Sequence, residues 1–276
     1  MSAVPVPARA PGWSSRLRVT QGRVILSEWT KFRSLRSTRW SLLVTLILAV
    51  GFPLIAATVT GARWSHMSPG DRLNRHPLDI ALVGVRIAQL SIGVLGVLVI
   101  SGEYSTGMIR ASIGAVPKRL PVLWGKIVVF ALASFALAVP SVLAAFFGTQ
   151  AILEIHHILQ IPFSANGVAR SVFGGAVYLV LIGIFALALG AITRNTAGGI
   201  ALFAGIVFVI PPLMNVLPTS WNNAISEYLP SNAGVDIFSL THGPNDLSPL
   251  AGFAVFLAYV VFTVAVSAVL LVRRDT

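Results

Sequence analysis

The chain has 276 residues, of which 55% are hydrophobic and 11% charged, with a net charge of +11 and no cysteine. A soluble surface needs about 25% charged residues, so a water-soluble domain is excluded, as the mean hydropathy of +0.83 also indicates. The missing cysteines exclude disulfides, thiolate metal sites and a cysteine nucleophile.

Residues 1–15, with Pro5, Pro7 and Pro11, read as disordered. Over residues 16–39, Ile25, Trp29, Phe32 and Leu35 recur at helical spacing with Lys31, Arg33 and Arg36 between them. That pattern predicts a basic amphipathic helix on the inner membrane surface, with Trp29 at headgroup depth. The spacing fits a simple topology anchor as well as a functional helix. Residues 1–39 carry too long a charged stretch for a signal peptide, so the first apolar run is expected to be an uncleaved helix.

A spanning helix needs roughly 20 apolar residues. Six runs qualify, at about 40–60, 78–100, 121–148, 168–193, 197–217 and 249–272. They predict an all-α integral membrane protein with residues 1–39 as a separate N-terminal segment and 40–276 as the transmembrane domain. The fourth and fifth runs are joined only by Arg194, Asn195 and Thr196, a tight helical hairpin. Fifteen Lys and Arg fall on the side holding both termini and four on the other, with Arg86 inside the second run. By the positive-inside rule both termini are cytoplasmic and the membrane is the plasma (inner) membrane. The basic charge is thereby used for topology, so no nucleic-acid partner is expected. Arginine outnumbers lysine 17 to 3, which hints at a GC-rich bacterial genome.

Arg86 is the one charge well inside a run, with Gln89 a turn away; the pair reads either as an intramembrane polar site or as an arginine snorkelling outward. Pro53, Pro140 and Pro211–Pro212 interrupt runs one, three and five and predict packing against protein there. Gly93, Gly96, Gly183, Gly190, Gly198 and Gly205 would permit close helix approach.

After the second run comes GEYSTGMIRASIGAVPKRL, Gly102–Leu120. Ser105 is placed to cap a short helix to about Gly114, with Met108, Ile109 and Ile113 along one side, ended by Pro117 and Pro121. Such a segment is a docking element or an ordinary connecting loop. Glu154, His156 and His157 lack the spacing of a metal motif, because adjacent histidines on a helix point about 100° apart. No metal site is expected. A phosphate-binding loop requires G-x-x-x-x-G-K-[ST]. The only Gly-Lys pair, Gly125–Lys126, is followed by Ile127, with Leu120 at the first glycine position. No G-x-S-x-G is present either, so no catalytic residue is expected.

The stretches SEWTKFRSLRSTRW before the first span and GEYSTGMIRASIGAVPKRLPVLWGK after the second, with YLPSNAG at Tyr228–Gly234, resemble the membrane subunits of ABC-2-type ABC transporters, closest to the permeases of actinobacteria. The resemblance extends over nearly the whole chain. It implies a non-enzymatic permease subunit of an exporter, working as a homodimer or with a related permease subunit. A separate ABC ATPase subunit would bind ATP and Mg. The resemblance makes Ile25, Trp29, Phe32, Arg33 and Arg36 part of a connecting helix. It makes Glu103, Gly107, Met108, Ile109 and Arg110 part of a coupling helix on the ATPase. It matches Trp221–Phe238 to short helices between the last two spans. An ATP-independent transporter or channel, or a membrane scaffold or immunity protein, fits the six spans equally; Arg86 fits the transporter, while the paired amphipathic segments and the lack of an inverted repeat speak against it.

Overall fold

The computed structural model describes residues 20–105, 107, 120–240, 243 and 246–273. Among these the fold is helical without strands, and six helices are long and apolar enough to cross a membrane. A short helix, α1 (Gln21–Ser34), precedes them. The first span, α2, runs Arg36–Arg63 and continues as a 3-10 turn, Trp64–His66. A five-residue helix, α3 (Pro69–Leu73), leads to α4 (Pro77–Ser105). Two long helices follow, α5 (Leu120–Ile155) and α6 (Val168–Thr193). The fifth span is composite: α7 (Thr196–Ala204), a π turn over Gly205–Val209, and α8 (Ile210–Met214). Then come α9 (Thr219–Ile225), α10 (Pro230–Asp236) and the last span, α11 (Pro249–Arg273).

The six predicted runs are all present, but several overrun their expected ends. The first begins at Arg36 rather than Trp40, and the third is 36 residues long, to Ile155. Polar residues at a span's end cost little where the backbone leaves hydrocarbon, so composition alone marks the apolar interior of a span and not its last turns. The 16–39 helix is also corrected. The described helix covers Gln21–Ser34 and stops at Leu35, whose backbone is extended at ψ 125, so Arg36 opens the first span instead. The guanidinium of Arg39 reaches back to the carbonyl of Arg33 at 3.0 Å and satisfies one of the carbonyls left open by that stop.

At the centre lie α4 and α6, the most buried of the spans. Glycine allows their contact: a Cβ on Gly96 would strike the carbonyl oxygen of Gly183 and one on Gly190 would press on Val97. Gly93 likewise abuts the ring of Phe203, whereas Gly205 faces open space and Gly198 only its own cap, so those two expectations of close approach fail. Pro53 is buried against Gly84 of α4, as expected of a break packed on protein. Pro140 and Pro212 are exposed, contrary to that expectation. The break at Pro211–Pro212 is absorbed within its own helix, by the π turn just before it, which widens the helix where proline rings would otherwise clash with preceding carbonyls.

The turn between α6 and α7 is as tight as expected. Arg194 adopts a left-handed conformation (φ 53), and the Asn195 side chain caps α7 by accepting from the Gly198 amide at 2.9 Å. The Arg194 guanidinium lies 5.3 Å over the Tyr104 ring and donates to the Leu270 carbonyl at 3.3 Å, which ties together the ends of α4, α6 and α11.

Candidate functional site: an ionic knot joining α1, α4 and α5

Four charged side chains from three helices meet at the α1 end of the bundle. Glu28 lies in the middle of α1, Glu103 in the last turn of α4, and Lys126 in the second turn of α5. All three are buried, at 4%, 5% and 3% exposure. The Lys126 ammonium donates to Glu28 Oε2 at 2.7 Å and to Glu103 Oε1 at 2.6 Å. Lys31, partly exposed, closes the group by donating to Glu28 Oε1 at 2.7 Å and Glu103 Oε1 at 3.2 Å. Two carboxylates and two ammonium groups cancel, which is the condition for keeping such charges out of water.

The local sequence explains why they meet. In α1, Val24, Glu28 and Phe32 fall on one face, and that face is the buried one. Gly125 offers no side chain where α1 crosses α5: a Cβ there would sit 3.1 Å from Val24 and 3.5 Å from Glu28. Its neighbour Lys126 then reaches Glu28 without α1 having to stand off. The Phe32 ring meets Phe130 of α5 edge-on at 6.5 Å, and Gln21 donates to the Pro121 carbonyl at 3.1 Å. Burial lowers the affinity of the Lys31 amine for its proton, but the Glu28 and Glu103 carboxylates outweigh this and hold its pKa above the ordinary 10.5.

The expected site residues are distributed as follows. Ile25 is half-buried and Phe32 buried, while Trp29, Arg33 and Arg36 are exposed. Only part of the apolar stripe Ile25–Trp29–Phe32–Leu35 packs on the bundle: Ile25 and Phe32 do, Trp29 and Leu35 do not, and the packing face is completed by Val24 and an acid, Glu28. Glu103 pairs with Lys126 and Lys31. Gly107 follows α4 with φ +72, a backbone that glycine adopts without strain. Ser105 is the last residue of α4, and its hydroxyl donates back to the Gly102 carbonyl at 2.9 Å. Met108, Ile109, Arg110 and the proposed short helix to Gly114 lie outside the described residues. Lys126 and Glu28 were missed by motif reading. Their signal was scarcity: apart from Asp275, Glu28 and Glu103 are the only acids in segments that hold fifteen Lys and Arg.

Arg86 lines a cleft whose lining does not include Gln89. Gln89 is buried and accepts a hydrogen bond from the Tyr178 hydroxyl of α6. Arg86 is exposed and lines a cleft of about 830 Å³ at the opposite end of the bundle. Between α8 and α11, where short helices were expected over Trp221–Phe238, the chain forms the end of α9, a 3-10 turn at Ser226–Tyr228, and α10. Neither a family model nor a curated protein matches the chain.

Proposed function

We propose that this chain is the transmembrane permease subunit of an ABC exporter in a bacterial plasma membrane, driven by a separate ATP-binding subunit. The observation that carries the reading is the origin of the ionic knot. Glu28 comes from SEWTKF, Glu103 from GEYSTG and Lys126 from LWGK, so the stretches that resemble ABC-2 permeases on either side of the first two spans supply one buried joint. A force applied to the loop after α4 would reach α4 directly through Glu103, then α5 through Lys126 and α1 through Glu28. In this role Glu103 is a positioning residue inside the bundle. Met108, Ile109 and Arg110 are the proposed contacts with the motor, and Gly107 lets the chain turn out of α4 toward them. The exposed Leu26 and Trp29 of α1, and Leu35 just after it, suit a helix resting on the inner membrane surface.

ATP and Mg would be held by the partner chain, because this sequence offers no loop of backbone amides ending in Gly-Lys-Ser/Thr to cradle phosphates. Six spans would be half of a transporter, completed by a second copy or a related permease subunit.

Purification with native partners tests the reading. An ATPase should copurify, the chain alone should not hydrolyse ATP, and reconstitution should change the turnover of the partner. Met108→Asp combined with Ile109→Asp should abolish that change while membrane insertion survives, since a charge would enter a buried contact. Contaminant-free hydrolysis by the isolated chain, or normal stimulation by the doubly charged variant, would sink the proposal.

A further inference from the structure

The cleft holding Arg86 lies at the end of the bundle away from α1, between α2, the start of α4 and α10. One stripe of α4 faces it: Asp79, Ile80, Val83 and Arg86. Five acidic residues line the cleft, Asp71, Asp79, Glu227, Asp236 and Asp246, against Arg75 and Arg86; three of them also accept local hydrogen bonds, Asp71 from Ser68, Asp236 from the Leu247 amide and Asp246 from the Gly243 amide. Five acids and two arginines give a formal charge of −3, counted over Asp, Glu and Arg, in a chain of net +11.

The carboxylates do not converge. Among the described residues no three His, Cys, Asp or Glu side chains come close enough to hold a metal ion. Dispersed negative charge suits a bulky organic cation better than a divalent ion, which needs several oxygens on one point. Arg86 adds the opposite sign. It sits seven residues beyond Asp79 on the same face, ~10 Å farther along the helix axis. No carboxylate lies within 4.0 Å of it among the described residues. A guanidinium in such a position favours a phosphate, which it can bind with two parallel hydrogen bonds. Ile80, Val83 and Val235 supply apolar wall beside these charges.

We infer that this cleft binds a zwitterionic aminoalkyl phosphoester, with its phosphate on Arg86 and its ammonium among the carboxylates nearer the mouth. The order of charges along α4, Arg86 farther into the bundle and Asp79 nearer its end, is that of the phosphate and ammonium of a phosphoethanolamine head group at a bilayer surface. A lipid and a free aminoalkyl phosphate share this chemistry. The inference is independent of whether the chain transports anything.

Thermal unfolding of the full chain in dodecyl maltoside tests it, with four probes. They are dihexanoyl phosphatidylethanolamine, the matched phosphatidylglycerol without an amine, dodecyltrimethylammonium without a phosphate, and free O-phosphoethanolamine. The phosphoethanolamine form should stabilise at roughly tenfold lower concentration than the phosphatidylglycerol or the simple cation, since each of these forfeits a charge-assisted contact. Arg86→Gln should erase the preference over the cation, and Asp79→Asn the preference over phosphatidylglycerol. Both side chains are exposed on the cleft wall, so the fold is expected to tolerate either change. Equal action of lipid and free O-phosphoethanolamine would assign a soluble ligand, and action of the lipid alone a membrane one; either supports the site. Stabilisation by phosphatidylglycerol or the cation at the same concentration as the phosphoethanolamine lipid, or by neither phosphoethanolamine form, would overturn it, and these comparisons need no variant.

Discussion

Lys126 holds two carboxylates on one ammonium, at 2.7 Å from Glu28 and 2.6 Å from Glu103, with almost no access to water. Removing one partner from such a group leaves a charge buried without compensation, which costs about 3–5 kcal/mol. Lys126→Met should therefore lower the unfolding free energy by that amount in detergent, and adding Glu103→Gln should recover part of the loss by removing the stranded carboxylate. A double variant as unstable as the sum of the two single changes would mean that the pair is not coupled. Lys31 differs because its amine is partly exposed. Its pKa is raised in the folded state, so its contribution is fully present below the ordinary 10.5 and is lost as pH rises through the higher folded value. Stability should thus be flat in Lys31 across the neutral range, and the difference between the parent and Lys31→Met should shrink only above pH 10.5.

Among the helices, the α4–α6 contact is the one with least room to adjust. A Cβ on Gly96 meets backbone, not the movable end of a side chain. Gly96→Val should therefore cost about 3 kcal/mol, the upper end for overpacking, and shift the thermal midpoint accordingly, whereas the same change at Gly205, which faces open space, should cost under about 1 kcal/mol. At the α6–α7 turn, Asn195→Ala removes a side-chain cap and should cost about 1 kcal/mol. These elements show how far the sequence could be read. The spans were legible because an unbroken apolar run of about 20 residues suits little besides a helix that crosses a bilayer, and the α6–α7 hairpin because only three residues separate two such runs. The side of α1 that packs was legible only in part, through Ile25 and Phe32. Hydrophobic spacing points to Trp29 and Leu35, but the helix turns Glu28 inward because Lys126, 98 residues away, waits there. A pairing of that range depends on how α1 and α5 cross, which no local pattern records. The cleft around Arg86 was hidden for the same reason, its walls coming from segments scattered between Ala56 and Asp246.

For the molecule as a whole, the uneven distribution of charge is the testable feature. Fifteen Lys and Arg on one side against four on the other should place reporter fusions at residue 15, in the 102–120 loop and at the C-terminus in the cytoplasm, and fusions near 70, 155 and 240 outside. An external C-terminus would break the six-span arrangement. The length of α5 bears on the whole molecule too. With 36 residues it is about 54 Å long, against a hydrocarbon layer of roughly 30 Å. So long a rod must lean or stand proud of the bilayer at its ends. Lys126 sits near one tip of the rod, and at the other His156 rests on Gly61 of the first span. In a thinner bilayer such a rod would have to lean further or expose more of its ends, and the joint between α1, α4 and α5 lies at one of those ends.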